Sequence, residues 1–168
     1  MQPMNQTSTP STLKDRTSTD LIVVHCSATG PNADIGVREI TQWHIQRGFD
    51  TVGYHYVIRR NGELETGRAE STIGAHVKGH NSNSVGVCLA GGVDARNKPE
   101  NNFTPAQFAT LETLLQQLQS RYPTARILGH RDLSPDRNGD GKITPDEFIK
   151  ACPSFDTGEW WASRADAR

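Results

Sequence analysis

Short apolar runs alternate with a longer stretch of helical period along the first half of this chain. Residues 21–26 are apolar on both alternating faces, which is typical of a strand covered on both sides of a sheet. Residues 37–47 have the period of a helix. Strands predicted at 54–60 and 63–66 flank Asn61-Gly62, a dipeptide that favours a tight hairpin between antiparallel strands.

The second half of the chain continues this alternation. Residues 84–89 and 126–129 have strand composition, and the capping box at 104–107 opens a helix that reaches Arg121. A terminal helix is predicted over 156–163. The order strand, helix, hairpin, strand, long helix, strand predicts an α/β (α+β) single domain, in which helices flank a central mixed β-sheet.

The first nineteen residues differ in composition from the rest, because they are rich in Ser, Thr, Gln and Pro. They contain no apolar stretch like that of a signal peptide, so we predict a disordered leader over 1–19 and no signal peptide. Residues 20–168 are enough for one core, and 34% of the chain is hydrophobic, which predicts one domain. The longest apolar run, 21–24, is too short for a transmembrane helix, and no stable membrane insertion is expected.

Charge and cysteine content narrow the possible functions. The formal net charge is −1 and the charges are dispersed, which argues against nucleic-acid binding. Three cysteines are too few, and odd in number, for the disulfide framework of a small secreted domain. Metal ligation or burial is therefore expected of them, and we interpret Cys26 and Cys88 as buried strand residues.

The run from Asp136 to Glu147 has the spacing of a calcium-binding loop. Gly141 stands at the position of the sharp turn, and the ligands would be Asp136, Asn138, Asp140, the carbonyl of Lys142, and Glu147. Pro135 leaves no room for an entering helix, so we predict a lone structural loop inserted in the domain. The alternative is a turn in which Asx side chains bond their own backbone.

The histidines include candidates for a second metal site. His130 precedes the predicted calcium loop and Cys152 follows it, and both residue types bind zinc. Spacing alone does not single out a ligand set among six histidines and three cysteines. His44 and His55 are interpreted as structural, and Gly74 and Gly79 indicate that His76 and His80 lie on a loop rather than a helix.

Six separated segments carry a family resemblance. They are VHCSAT at 24–29, VGYHY at 52–56, GAH at 74–76, NSVGV at 83–87, GHR at 129–131 and KACPSFD at 150–156. Together and in this order they resemble the zinc-dependent N-acetylmuramoyl-L-alanine amidases of the peptidoglycan-recognition-protein superfamily, and most closely the amidase-type phage lysozymes, or endolysins. The resemblance covers residues 20–161, with the calcium loop as an insertion.

The resemblance implies a reaction and roles for particular residues. It implies hydrolysis of the amide between N-acetylmuramic acid and the L-alanine of the stem peptide in peptidoglycan, with water activated by zinc. It assigns the zinc ligands to His25, His130 and Cys152. Tyr54 and Lys150 correspond to the catalytic side chains, which would stabilise the oxyanion, and His76 is interpreted as a substrate-binding residue of the cleft.

The resemblance also implies where such an enzyme works. We expect a monomer that is made in the cytoplasm of a host bacterium and reaches the cell wall after membrane permeabilisation, with bacterial peptidoglycan as its partner. One alternative is a non-catalytic peptidoglycan-binding module of the same fold, which typically lacks the cysteine present here as Cys152. A glycoside hydrolase would require two opposed carboxylates, and no acidic pair belongs to a recognisable motif outside the calcium loop. A calcium-dependent interaction protein is disfavoured because one loop without flanking helices has no groove to open.

Overall fold

A computed structural model describes residues 13–148 and 150–165 of the chain. Within these residues, five strands form one mixed sheet in the order β3-β2-β4-β1-β5. The strands are β1 (Leu21–Cys26), β2 (Tyr56–Ile58), β3 (Leu64–Thr66), β4 (Ser84–Leu89) and β5 (Arg126–Gly129). Neighbouring strands are parallel except for β2 and β3, which are antiparallel. The predicted fold class is confirmed.

Three helices of the described residues cover the sheet: α1 (Val37–Gln46), α2 (Pro105–Arg121) and α3 (Thr157–Ala165). The predicted capping box opens α2, because Thr104 Oγ1 accepts from the Gln107 amide at 3.1 Å and Gln107 Oε1 accepts from the Thr104 amide at 3.0 Å. Both bonds satisfy amides that have no partner inside the helix. No helix in the described ranges is long and apolar enough to cross a membrane.

The sheet divides the core into two parts, and helices cover each of them. On one face of the sheet, strand residues such as Ile22 and Val24 pack with Leu111 and Leu115 of α2. On the other face, Ile40 of α1 packs with Val57. Because side chains alternate along a strand, Val24 faces α2 while His25 points to the opposite face. That second face of the sheet holds the candidate site.

The hairpin strands are shorter than the predicted 54–60 and 63–66. The segment before β2 pairs only partly with the sheet. The His55 amide donates to the Gly86 carbonyl of β4 at 2.9 Å, whereas the Gly53 carbonyl accepts from the Ala75 amide at 3.0 Å and the Tyr54 carbonyl from the Arg68 amide at 3.0 Å. The predicted turn is present, with Gly62 at a φ of 89°. This irregular backbone places Tyr54 outside the regular strand.

Part of the predicted disordered leader is ordered. Asp15 forms an antiparallel bridge with Thr72, and the Arg16 amide donates to the Ser71 carbonyl at 2.8 Å. The Arg16 guanidinium also donates to the Thr72 carbonyl at 2.7 Å. The folded part therefore starts before the predicted boundary at residue 20. Backbone hydrogen bonds to a loop hold this segment, and amino-acid composition does not reveal such bonds. Residues 1–12 lie outside the described residues.

Candidate metal and catalytic site

The candidate site begins at the ends of two parallel strands. Val24 of β1 pairs with Gly129 of β5, so the residues that follow them, His25 and His130, come to the same edge of the sheet. Their ring centroids are 4.6 Å apart. His25 is only 1% exposed, whereas His130 is partly exposed and begins a 3-10 turn over His130–Leu133.

Cys152 comes to these histidines from a segment far along the chain. The Arg131 amide donates to the Cys152 carbonyl at 2.8 Å, and the Cys26 amide donates to Cys152 Sγ at 3.1 Å. One ligand atom from each of His25, His130 and Cys152 lies within 4.8 Å of the other two. Two imidazoles and one thiolate form a donor set that zinc favours, and three protein ligands leave a fourth position open. The residues present therefore fit a catalytic zinc ion.

Burial sets the protonation of these groups. It lowers the pKa of His25 well below its ordinary value, with smaller contributions from His76 and His130, and it lowers the pKa of His130 to about 4, helped by Lys150. Both rings are therefore neutral near pH 7, as a metal ligand must be. The pKa of the Cys152 thiol is raised well above its ordinary value, first by its contact with Cys26 and then by burial. A cation at the site would oppose this effect and favour the thiolate.

Tyr54 and Lys150, the predicted catalytic residues, lie around the same histidines. The Tyr54 ring is 5.0 Å from the His25 ring, and burial raises the pKa of its phenol well above the ordinary value, so it stays a hydroxyl donor. Lys150 is exposed, and its charge contributes to the lowered pKa of both His25 and His130. The Tyr54 ring thus lies beside His25, and the charge of Lys150 acts on two of the three candidate ligands.

His76 lies behind His25 and is 9% exposed. Its Nδ1 is 2.8 Å from His25 Nε2, and its Nε2 is 3.0 Å from Ser84 Oγ. The ring packs on Gly86 so closely that a Cβ added there would lie 2.6 Å from it. Both ring nitrogens face protein groups, and the role in substrate binding stays a prediction. Sequence reasoning missed Ser84, although it lies in the NSVGV segment.

The remaining histidines and cysteines agree with the predicted structural roles. His44 Nδ1 accepts from the Gly53 amide at 2.8 Å, and His55 Nδ1 accepts from the Gly86 amide at 3.0 Å. Cys26 and Cys88 are buried, free cysteines. His44 and His55 therefore use a ring nitrogen to hold backbone beside the site.

The predicted calcium loop brings its carboxylates together. Asp136, Asp140 and Glu147 each offer an oxygen within 4.8 Å of the other two. Glu147 is only 3% exposed and accepts from the Arg137 amide at 2.6 Å, while Asp136 accepts from the Gly141 amide at 2.8 Å. The loop therefore contains both features: side chains that bond their own backbone, as in an Asx turn, and carboxylates that converge as a cation site requires. Asn138 and Lys142 take part through side-chain and amide bonds within the loop.

The surroundings of this loop agree with a lone site. Pro145–Glu147 forms a 3-10 turn, and the segment before the loop contains the 3-10 turn at His130–Leu133. No α-helix enters the loop from the described residues 130–135, as Pro135 predicted. The backbone bonds lower the pKa of the Glu147 carboxyl, led by the bond from Thr144, so this side chain is an anion at neutral pH.

Comparisons with known proteins give a consistent result. Residues 15–147 match the family described as N-acetylmuramoyl-L-alanine amidase, a range that includes His25, Tyr54, His76 and His130 but ends before Lys150. The endolysin of Klebsiella phage KP32 is 50% identical over 146 residues, covering 87% of each chain. The endolysin of Escherichia phage T7 is 48% identical over 148 residues, covering 88% of this chain and 89% of that one.

Solved structures share the fold. The N-acetylmuramoyl-L-alanine amidase LysC from Clostridium intestinale superposes with a TM-score of 0.72 at 23% identity, covering 97% of this chain and 95% of that chain. Drosophila PGRP-LB superposes with a TM-score of 0.65 at 21% identity, covering 92% of this chain and 84% of that chain. At these identities the likeness concerns the fold alone.

Proposed function

Because this chain belongs to the N-acetylmuramoyl-L-alanine amidase family and is a peptidoglycan hydrolase, we propose that His25, His130 and Cys152 hold one catalytic zinc ion. The observation that carries this proposal is the convergence of their ligand atoms within 4.8 Å at one edge of the sheet. When bound, zinc would supply a Lewis acid that lowers the pKa of water and polarises the scissile carbonyl. The bond broken is the amide between N-acetylmuramic acid and L-alanine.

Tyr54 and Lys150 would act on the charge that develops on the carbonyl oxygen. The Tyr54 hydroxyl is beside His25 and its raised pKa keeps its proton, so it would donate a hydrogen bond to the oxyanion. Lys150, two residues before Cys152, would bring a positive charge to the same oxygen. The amine of L-alanine must gain a proton as it leaves, and either side chain is a suitable donor.

A binding module of the same fold is the competing proposal. Names among the relatives include peptidoglycan-recognition proteins, such as protein LB of Drosophila melanogaster, which is 27% identical over 135 residues. Binding alone does not require a thiol beside two histidines. The position of Cys152 Sγ, held by the Cys26 amide at 3.1 Å, favours the enzyme.

We propose a second, structural ion at the loop of Asp136, Asn138, Asp140, Lys142 and Glu147. Calcium favours oxygen ligands, and three carboxylates already converge here. Without a cation these three charges repel one another in the segment between His130 and Cys152. Calcium would therefore stabilise the segment that carries Lys150 and Cys152.

The setting of the reaction is also a proposal. The relatives at about 50% identity are phage endolysins, which supports lysis of the bacterial wall from within the host after membrane permeabilisation. We propose that the chain acts as a monomer on peptidoglycan, and that its catalytic domain, predicted over 20–168, also includes the segment that the bridge of Asp15 to Thr72 holds.

Digestion of purified peptidoglycan tests the proposed chemistry. We expect new L-alanine amino termini, intact glycan strands, and about one zinc per chain by elemental analysis. New reducing sugar ends would instead indicate a glycosidase. Tight binding to peptidoglycan with no released peptide, even with zinc supplied, would support the binding module.

A further inference from the structure

A buried chain of hydrogen bonds runs from His25 away from the candidate metal position. His25 Nε2 is 2.8 Å from His76 Nδ1, His76 Nε2 is 3.0 Å from Ser84 Oγ, and Ser84 Oγ is 2.7 Å from the His80 carbonyl oxygen. His25 is 1%, His76 9% and Ser84 0% exposed, so water has little access to these groups. Each proton in the chain must therefore satisfy a protein acceptor.

The His80 carbonyl, at the end of this series of hydrogen bonds, determines which atom is the donor in each bond. A carbonyl oxygen only accepts, so the single Ser84 hydroxyl proton goes to His80. Ser84 Oγ must then accept from His76 Nε2–H. A neutral imidazole carries one N–H, which leaves His76 Nδ1 as an acceptor for His25 Nε2–H.

We infer that His76 and Ser84 are positioning residues: they hold the His25 proton on Nε2, so that the Nδ1 lone pair is offered to the metal. This inference rests on the zinc centre proposed above. A metal-bound imidazole generally donates its other N–H to a neighbouring group, which fixes both tautomer and ring orientation. Here the neighbour is another histidine, whose own tautomer is set by a serine.

The packing around His76 leaves its ring little room to rotate. Asn81 Oδ1 accepts from the His76 amide at 2.8 Å and from the Val77 amide at 2.9 Å, which fixes the loop backbone. Gly86 on β4 lets the ring lie against the sheet, where any larger residue would collide with it. Ser84 begins β4 and is held by the sheet. Rotation of the His76 ring therefore requires the loop or the sheet to move.

Without the Ser84 hydroxyl, the tautomer of His76 is no longer fixed. In Ser84→Ala, His76 Nε2–H loses its acceptor, and the ring is then free to carry its proton on Nδ1. That proton would face His25 Nε2 and drive the His25 proton to Nδ1, the atom needed by the metal. Loss of such a supporting partner typically weakens metal binding on the order of 10- to 100-fold.

The experiment combines nitrogen NMR of the full, metal-free chain with zinc titration against a chromophoric chelator. In wild type, long-range ¹H–¹⁵N correlations should report the His25 proton on Nε2, and a proton on Nδ1 would overturn the inference without any variant. Ser84→Ala should change the His25 or His76 tautomer and raise the zinc Kd about 10- to 100-fold. Ser84→Thr, which keeps the hydroxyl, should retain tighter zinc binding than Ser84→Ala.

Thr110→Val is the matched control, because Thr110 Oγ1 also donates to a backbone carbonyl, that of Gly62 at 2.6 Å, but lies on α2. Equal zinc affinity in Ser84→Ala and Thr110→Val would overturn the positioning role. His76→Ala should also weaken zinc binding, whereas a raised KM with unchanged zinc affinity would indicate a substrate contact instead of a positioning role. A wild type that binds no zinc would refute the proposed centre, whereas the NMR of the metal-free chain would still decide the tautomer.

Discussion

The Tyr54 ring lies 5.0 Å from the His25 ring and is tilted 54° to it, although Tyr54 precedes β2 and His25 belongs to β1, on the other side of β4. Tyr54 lies just before β2, where the carbonyls of Gly53 and Tyr54 pair with the loop residues Ala75 and Arg68. The Tyr54 ring therefore lies beside His25 and also packs against the buried cluster that contains Ile40 and Val57.

Tyr54→Phe should lower turnover about 100-fold or more, since one oxyanion donor is lost. Zinc content and the unfolding transition should stay near wild type, because the ring remains. Turnover on a soluble muropeptide, elemental analysis and thermal unfolding measure the three quantities. Turnover equal to that of wild type would indicate that Tyr54 has only a structural role.

Lys150→Ala should also lower turnover, because a positive charge beside the oxyanion is removed. The side chain is exposed, so the fold should be unaffected. Lys98→Ala, at another exposed lysine, is the control for the change in net charge. Equal activities of the two variants at low and high salt would exclude a specific role for Lys150.

Cys152→Ser should lose most of its zinc, since a serine hydroxyl is a poor substitute for a thiolate ligand. The control is Cys88→Ala, which removes another buried thiol that is not part of the ligand set. Inductively coupled plasma analysis after gel filtration gives the zinc content of both. Full occupancy in Cys152→Ser would show that the ligand assignment is wrong.

The stability of the metal-free protein should fall as the pH drops from about 6.5 to about 4. Burial, the largest cause for both residues, lowers the pKa of His44 to about 4 and that of His55 to about 4. The unfolded chain binds these protons first, at its higher pKa of about 6.5, so acid favours unfolding across this interval. Above pH 7 neither histidine contributes to pH dependence.

Urea unfolding of His44→Asn tests this assignment in the presence of EDTA. The Asn oxygen can still accept from the Gly53 amide, but the side chain does not titrate. The free energy of unfolding should therefore depend less steeply on pH in this variant than in wild type, while His80→Asn, at a partly exposed position, serves as the control. Identical pH profiles for wild type and His44→Asn would contradict the prediction.

The melting temperature should rise with free calcium if the Asp136–Glu147 loop binds it, because a ligand of the folded state stabilises that state. Glu147→Gln should abolish the rise, since it removes one of the three converging carboxylates. Asp146→Asn is the control within the loop, because Asp146 is exposed and bonds Thr144 instead. Zinc is held constant throughout. A wild-type melting temperature that is indifferent to millimolar calcium would refute the structural ion.

Local sequence determined those features of the molecule whose physics is local. The box of Thr104 and Gln107 predicted the start of α2, because the bonds that cap a helix join residues three apart. The spacing of acidic residues predicted the convergence at 136–147, since one loop supplies all the ligands. The order of elements sufficed for the fold class, and six motifs together indicated the candidate site.

Only the tertiary structure decided what depends on register and on contacts between distant segments. The pairing of Val24 with Gly129 brings His25 beside His130, and nothing in either segment specifies that pairing. The bridge of Asp15 to Thr72 likewise cannot be predicted from composition. The Ser84 hydroxyl becomes a partner of His76 only because the His76 ring packs over Gly86. A residue's type fixes which bonds it can make, whereas packing decides which partner comes within 3 Å, and that choice gives the site its chemistry.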